Sequence, residues 1–114
     1  MNRDDSLQVD ILLAAQDILS FKAGYDGELF RSDTKTQAAV LHKLTVIGEA
    51  VRQLSADFKD SHPAVPWAKV MGMRNRLVHE YARIDIDEVW RVVEREIPSL
   101  IQYVEAFVPS RDGE

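Results

Sequence analysis

The sequence has no cysteine among its 114 residues. This absence excludes disulfide bonds, a thiolate nucleophile and thiolate metal sites. No apolar run approaches the roughly 18–20 residues that a membrane-spanning helix needs. The first ten residues, MNRDDSLQVD, are too acidic for the start of a signal peptide. We therefore expect a cytoplasmic protein without a membrane segment.

Motifs of metal enzymes and nucleotide-cofactor enzymes are also missing. The three histidines, His42, His62 and His79, are far apart in the sequence, and none belongs to a His-Glu-x-x-His motif. The chain has neither a glycine-rich phosphate loop nor a Gly-x-Ser-x-Gly nucleophile elbow. We therefore expect no bound metal and no cofactor.

The composition is that of an ordinary globular domain. Hydrophobic residues make up 46% and charged residues 29%, which excludes a disordered or fibrous chain. The length fits one domain, for which we expect residues 1–110, followed by a polar tail at 111–114.

Apolar residues recur at spacings of three and four along most of the chain, which is typical of amphipathic helices. No segment shows the alternation typical of strands, so we expect an all-α fold, an antiparallel bundle of four to five helices. The apolar residues of the three longest segments are Leu7, Ile11, Ala14, Ala15, Ile18 and Leu19; Val40, Leu44, Ile47, Val51, Leu54 and Phe58; and Val89, Val93, Ile97, Leu100, Val104 and Phe107.

Polar residues and glycine indicate where the first helices begin and end. Ser6 or a preceding aspartate can cap the first helix, and Gly24 can end it. A loop is expected over residues 24–32. The second helix is expected to open at Thr34 in a capping box with Gln37. Its apolar seam predicts one helix as far as Phe58.

Proline marks the later boundaries. A short third helix is expected with Pro66 at its first position. Asp85, with Glu88 three residues on, predicts the start of the last helix. Pro98 lies inside that helix and is expected to kink or split it.

Charge is unevenly distributed. The chain carries a net −5, but residues 67–83 carry +3, while the segments before and after carry −3 and −5. A local basic segment can bind a polyanion even in an acidic protein. The alternative is a solvated helix face, and charge alone does not decide between the two.

This basic segment contains a group of residues suited to chemistry. Arg74, Asn75, His79 and Tyr81 lie within eight positions. On a regular helix Arg74 and His79 would be about 140° apart, so they could not both face one small target. Either the helix ends or distorts before His79, or a second chain completes the site.

Arginine and histidine together suit metal-free RNA cleavage, in which the 2′-hydroxyl attacks the adjacent phosphate. Histidine can exchange a proton near neutral pH. Arginine offers forked donors to the charge that builds up on the phosphate. The alternative for His79 is a helix cap or a packed side chain.

The same residues carry a resemblance to a known family. Arg74-x-x-x-x-His79-x-Tyr81, within MRNRLVHEY, follows a Pro-Trp pair at Pro66 and precedes IDIDEVW. Together with the IGEA stretch at residues 47–50, these segments resemble the HEPN superfamily, and within it the HepT-like ribonuclease toxins of type VII toxin–antitoxin systems.

The resemblance implies a homodimeric helical bundle with two Arg/His motifs facing each other across a cleft. It implies a metal-independent endoribonuclease in which Arg74 and His79 are catalytic. It further implies RNA as substrate, a nucleotidyltransferase as cognate antitoxin, and Tyr81 as the residue to which that partner attaches AMP.

The roles of the neighbouring residues stay open. Asn75 could fix the His79 tautomer or cap a backbone group, and Arg76 could bind RNA phosphates or be solvated. Glu49 could lie at the surface or near a dimer cleft. Trp67 and Trp90 are expected in the core.

Two other functions remain as alternatives to the nuclease. One is a HEPN-like module that binds a nucleotide or a partner without cleaving RNA. The other is a purely structural helical bundle.

Overall fold

The computed structural model describes residues 2–77 and 83–109. Within these residues the fold is all-α, as predicted, and one hydrophobic core is shared by the helices. The elements are α1 (Arg3–Lys22), α2 (Gly27–Arg31), α3 (Thr34–Gln53), α4 (Ala56–Ser61), α5 (Trp67–Met71), α6 (Met73–Leu77), α7 (Ile86–Arg91), a π turn (Val92–Glu96) and α8 (Ile97–Phe107).

The first helix is capped one turn earlier than predicted. Asn2 accepts a hydrogen bond from the Asp5 backbone N–H at 2.8 Å, and the Asp5 carboxylate accepts one from the Asn2 backbone N–H at 3.3 Å. This reciprocal capping box replaces the cap expected at Ser6 or an aspartate. Gly24 follows the helix with φ +81°, which confirms the predicted left-handed stop.

The segment expected as a loop after Gly24 contains the short helix α2. The Asp26 carboxylate caps it by accepting the Leu29 N–H at 2.8 Å. Phe30 is completely buried, and its ring centroid lies 5.1 Å from that of Trp90. The short helix α2 is therefore stabilised by the burial of Phe30 in the core.

Helix α3 is capped by Asp33, whose carboxylate accepts the Thr36 N–H at 3.0 Å. The expected capping box from Thr34 to Gln37 is wrong. Gln37 is buried instead, and its amide nitrogen donates to the Phe30 carbonyl at 2.8 Å.

The predicted long seam belongs to two helices, because the chain breaks at Leu54. Ser55 begins α4 as its N-cap. The Asp4 carboxylate accepts both the Ser55 backbone N–H, at 2.9 Å, and its hydroxyl, at 2.6 Å. This contact from α1 holds the break in place.

Helices α1 and α3 pack antiparallel and form the centre of the bundle. The start of α1 meets the end of α3, where Arg3 donates to Gln53 at 2.7 Å. Nearer the middle, Lys43 of α3 pairs with Asp17 of α1 at 3.0 Å. Helix α8 packs against α1 and closes the core.

The third helix is shorter than predicted. Pro66 is the N-cap of α5 and not its first helical residue, and Gly72 separates α5 from α6. The indole N–H of Trp67 donates to the carbonyls of Lys59 and His62 at 3.1 Å and 3.0 Å. Trp67 is half-buried against the core, as is Trp90.

The last helical segment begins at the predicted residue, since Asp85 caps α7 by accepting the Glu88 N–H at 3.1 Å. The expected split at Pro98 is not seen, because the segment stays helical and changes from a π turn to α8 just before Pro98. Proline lacks a backbone N–H, and its ring would clash with the carbonyl four residues earlier. The π turn before it widens the helix at that point.

Across residues 2–77 and 83–109, no helix is both long enough and apolar enough to span a membrane. The tail predicted at 111–114 lies outside the described residues.

Candidate active site

Arg74 lies on α6, on the side of that helix that faces α3. Its side chain is exposed, and it borders two adjacent clefts along the α3 surface. Arg74 makes no ion pair or hydrogen bond with any residue in the part of the chain that the structure describes. Among the described residues, its positive charge is therefore not neutralised and faces both clefts.

The first cleft, called the Glu49 cleft, has a volume of about 320 Å³. Its lining residues are Thr45, Gly48, Glu49, Arg52, Ala68, Met71, Gly72, Arg74 and Asn75. The second, called the His42 cleft, has a volume of about 460 Å³. Its lining residues are Thr34, Gln37, Ala38, Leu41, His42, Thr45, Arg74 and Ile84.

A polar stripe on α3 forms the floor shared by both clefts. It consists of His42, Thr45, Glu49 and Arg52, at spacings of three, four and three. At about 100° per residue these positions fall within about 80° of the helix circumference, opposite the buried seam. Thr45 lines both clefts, as Arg74 does. Its hydroxyl donates to the Leu41 carbonyl at 3.0 Å.

The charges on the floor of the Glu49 cleft compensate each other. The Arg52 guanidinium donates to the Glu49 carboxylate one turn earlier. Asn75 adds an exposed amide to the same cleft. Arg74 consequently supplies the uncompensated cation among the described residues of this cleft.

Gly48 holds α5 and α6 close to α3. A Cβ atom at this position would lie 3.2 Å from the Met71 backbone carbonyl oxygen. Because Met71 is the last residue of α5, the close approach at Gly48 fixes where α6 starts. It thereby sets the distance of Arg74 from the polar stripe.

Arg76, predicted as a supporting residue, lies on another face of α6. Its guanidinium donates to both carboxylate oxygens of Glu96, each at 3.1 Å. Lys69 lies 3.8 Å from the same carboxylate. The basic segment of the sequence is thus divided between two faces, and two of its cations are paired with one acid.

Of the remaining predicted site residues, two lie in the Glu49 cleft and two lie outside the described part of the chain. Asn75 lies beside Arg74 in the Glu49 cleft. Glu49 is exposed, which agrees with the surface location considered for it, and it lies in the same cleft as Asn75. His79 and Tyr81 lie outside the described residues.

Sequence reasoning missed His42 and Thr45 as residues of this surface. Their spacing relative to Glu49 placed them opposite the apolar seam, which was the available signal. Nothing in the sequence showed that α6 would cover that polar face and bring Arg74 beside it. Within residues 2–77 and 83–109, no three histidine or carboxylate side chains are grouped to hold a metal ion.

Comparisons with known proteins match most of the chain. The model of the family described as "Ribonuclease HepT-like" matches residues 11–107. A Methanocaldococcus jannaschii protein provisionally named an RNase is 37% identical over 105 residues, which cover 92% of this chain and 87% of that protein. A Thermococcus cleftensis protein provisionally named ribonuclease HepT is 41% identical over 91 residues, covering 80% and 83%.

No solved structure gives a significant match. The family match spans most of the chain and includes Arg74, His79 and the polar stripe of α3. The chain therefore belongs to the HepT-like ribonuclease family of the HEPN superfamily.

Proposed function

We propose that this protein is a metal-independent endoribonuclease and the toxin of a toxin–antitoxin pair. Membership of the HepT-like ribonuclease family supports RNA as the substrate. The observation that carries the assignment of the site is Arg74, which has no ion-pair partner among the described residues and lies between two clefts of nucleotide-binding size.

In the proposed reaction, Arg74 and His79 act on one phosphodiester. The 2′-oxygen forms a bond to phosphorus while the bond from phosphorus to the 5′-oxygen breaks. The 2′-hydroxyl loses its proton and the leaving 5′-oxygen gains one, and His79 serves one of these two transfers. The Arg74 fork stabilises the negative charge on the non-bridging oxygens. The products are a 2′,3′-cyclic phosphate and a 5′-hydroxyl.

The proposed active form is a homodimer with the two motifs across one cleft. Met71 borders the Glu49 cleft and is 42% exposed. Large apolar side chains around a cationic cleft favour contact with a second copy. A second copy would also supply its His79 to the Arg74 of the first. Within one regular helix these two residues would be about 140° apart and could not meet at one phosphate.

The proposed partner is a nucleotidyltransferase antitoxin that attaches AMP to Tyr81. Each attached phosphate would place negative charge and bulk two residues from His79 and would compete with RNA for the cationic cleft.

Asn75 and Arg76 are proposed as supporting residues. Asn75 lies in the Glu49 cleft, and Arg76 lies on the other face of α6, where it is paired with Glu96.

The function is tested by incubating the purified protein with total RNA in the presence of EDTA. We expect new 5′-hydroxyl ends, and we expect Arg74→Ala and His79→Ala each to abolish them while helicity and oligomeric state are kept. Arg31→Ala, which removes an exposed arginine paired with Asp87, is the matched control and should cleave normally.

Two results would contradict the proposal. The first is cleavage that requires Mg²⁺ and survives His79→Ala. The second is tight nucleotide binding with no cleavage between about pH 5 and pH 9, the range in which histidine changes charge. That second result would favour the non-catalytic binding module.

A further inference from the structure

We propose that the His42 cleft is the subsite for one of the two nucleosides that flank the scissile phosphate, and that His42 contacts the base of that nucleoside. This inference rests on the proposed function, because it places the phosphate at Arg74. It adds a specificity-determining residue outside the Arg/His motif.

The position of Arg74 gives the first step. Arg74 borders both clefts, so a phosphate bound to its guanidinium lies where the two clefts meet. An internal phosphate of RNA carries one nucleoside on each side. The two clefts continue in opposite directions along α3, and seven residues from His42 to Glu49 correspond to about 10 Å of helix. Each cleft therefore receives one flanking nucleoside.

The chemistry of the His42 cleft suits a base better than a second phosphate. Leu41 and Ile84 give it apolar walls, and Ile84 is 38% exposed. The exposed His42 ring makes no hydrogen bond or ion pair with a described residue. RNA-binding proteins stack unpaired bases on flat rings of this kind, including histidine.

Gln37 lines the inner side of the same cleft and is buried, on a different face of α3 from the exposed His42. The amide nitrogen of Gln37 is held by the carbonyls of Phe30 and Arg31, at 2.8 Å and 3.1 Å. The group in this cleft that can reach a base is therefore His42, whose exposed ring can stack on the base and whose ring nitrogens can hydrogen-bond to its edge.

The test compares His42→Ala with Lys35→Ala, which removes an exposed cation from the same helix outside both clefts. The substrates are short RNAs with one cleavage site, in which each of the four nucleotides is placed in turn before or after the cut. We expect His42→Ala to lower kcat/KM by about 3- to 30-fold and to flatten the nucleotide preference at one of these two positions. Lys35→Ala should retain both preferences.

A second measurement keeps the inference separate from the proposed function. The same RNAs with a 2′-deoxy nucleotide before the cut cannot be cleaved, and their binding is measured directly. We expect His42→Ala to reduce the difference in Kd between bases at the same position, and His42→Gln to retain part of it. Free nucleoside monophosphates should compete weakly, since the subsite is proposed for a nucleoside within a strand.

An equal loss of binding for every base, or no loss, in His42→Ala would overturn the subsite even if Arg74→Ala abolishes cleavage. Competition by a free mononucleotide as strong as by RNA would also overturn it. If the wild-type protein cleaves no RNA, the proposed function fails, and base-dependent binding at His42 still decides the subsite.

Discussion

Arg74 and Arg76 lie two residues apart on α6 and have opposite electrostatic surroundings. Arg74 faces the polar stripe of α3 and has no ion-pair partner among the described residues. Arg76 forms two hydrogen bonds with Glu96 on the π turn. Two residues correspond to about 200° of rotation on a helix, so the two guanidinium groups cannot serve the same cleft.

This difference predicts unequal effects of two otherwise identical substitutions. We expect Arg74→Ala to lower kcat by at least about 100-fold, the loss typical of removing a donor to a developing charge. We expect Arg76→Ala to raise KM only about 2- to 5-fold at unchanged kcat, as for a peripheral phosphate contact. Steady-state kinetics on one short RNA separates the two parameters.

Arg74→Lys serves as the control for the forked geometry. It retains the charge but not the paired donors, so we expect partial activity between the wild type and Arg74→Ala. Loss of kcat in Arg76→Ala equal to that in Arg74→Ala would contradict the division of the basic segment into two faces. The free energy of unfolding should fall by no more than about 1 kcal/mol in Arg76→Ala, since the pair is partly exposed.

At Gly48 we expect alanine to destabilise the protein, although helix propensity favours alanine over glycine. Alanine at a helix interior is favoured over glycine by about 1 kcal/mol. The new Cβ would lie 3.2 Å from the Met71 carbonyl oxygen, a backbone atom that moves only with α5. Overpacking of this kind costs about 1–3 kcal/mol. We expect Gly48→Ala to lower the free energy of unfolding by about 1 kcal/mol and to lower activity by displacing Arg74.

Urea denaturation measures the stability, and Gly72→Ala is the matched control. A Cβ at Gly72 would lie 3.4 Å from the Ala68 carbonyl, an ordinary contact, so we expect a change within about 0.5 kcal/mol. A Gly48→Ala protein that is more stable than the wild type and fully active would show that α5 is not held at this contact.

The helical class of the fold could be predicted from the sequence because its apolar periodicity is regular. The seam that contains Val51 and Phe58 also continues at helical spacing across Leu54, and for this reason it predicted one helix. The break depends on Asp4, which captures Ser55 from 51 residues away. A tertiary hydrogen bond of this kind leaves no local signal in the sequence.

Of the candidate site, the sequence predicted Arg74 but not all of the residues that surround it. The motif identified Arg74, and helical phase alone could have separated it from Arg76. Pairing of Arg76 with Glu96 could not be foreseen, because the two residues are 20 positions apart and meet only in the folded chain. His42 was missed for a similar reason, since its significance comes from the approach of α6 to α3.

Tyr81 gives a prediction about the proposed partner. After co-expression with the proposed nucleotidyltransferase partner, we expect the intact mass to increase by whole AMP units and RNA cleavage to be lost. Tyr81→Phe should abolish the mass increase, because phenylalanine has no hydroxyl to form the phosphate ester. Tyr103→Phe, which changes an exposed tyrosine on α8, is the control and should still be modified.

Neutralisation of Tyr81→Phe without any change in mass would show that the partner inhibits by binding alone. Treatment with a phosphodiesterase offers a further check on the wild type. Removal of the added AMP should restore cleavage, since the modification is proposed to block the cleft and not to unfold the protein.

Asp33 joins the start of α3 to Tyr25, which lies in the loop between α1 and α2. Its carboxylate accepts hydrogen bonds from the Tyr25 hydroxyl, from the Thr36 N–H at 3.0 Å and from the Thr36 hydroxyl at 2.9 Å. These bonds, that of Tyr25 first, lower the pKa of Asp33 from 3.8 to about 2. The charged carboxylate also suits the positive end of the helix dipole.

The lowered pKa of Asp33 predicts how stability depends on pH. Because the pKa is lower in the folded state, the ionised carboxylate stabilises the fold above about pH 3.8, and this stabilisation is lost as the pH falls to about 2. Tyr25→Phe removes the largest cause of the shift. We therefore expect the difference in free energy of unfolding between wild type and Tyr25→Phe to be greatest above pH 4 and to shrink toward pH 2. Urea midpoints across this range measure it, and a difference independent of pH would assign the effect of Tyr25 to packing instead of to the Asp33 carboxylate.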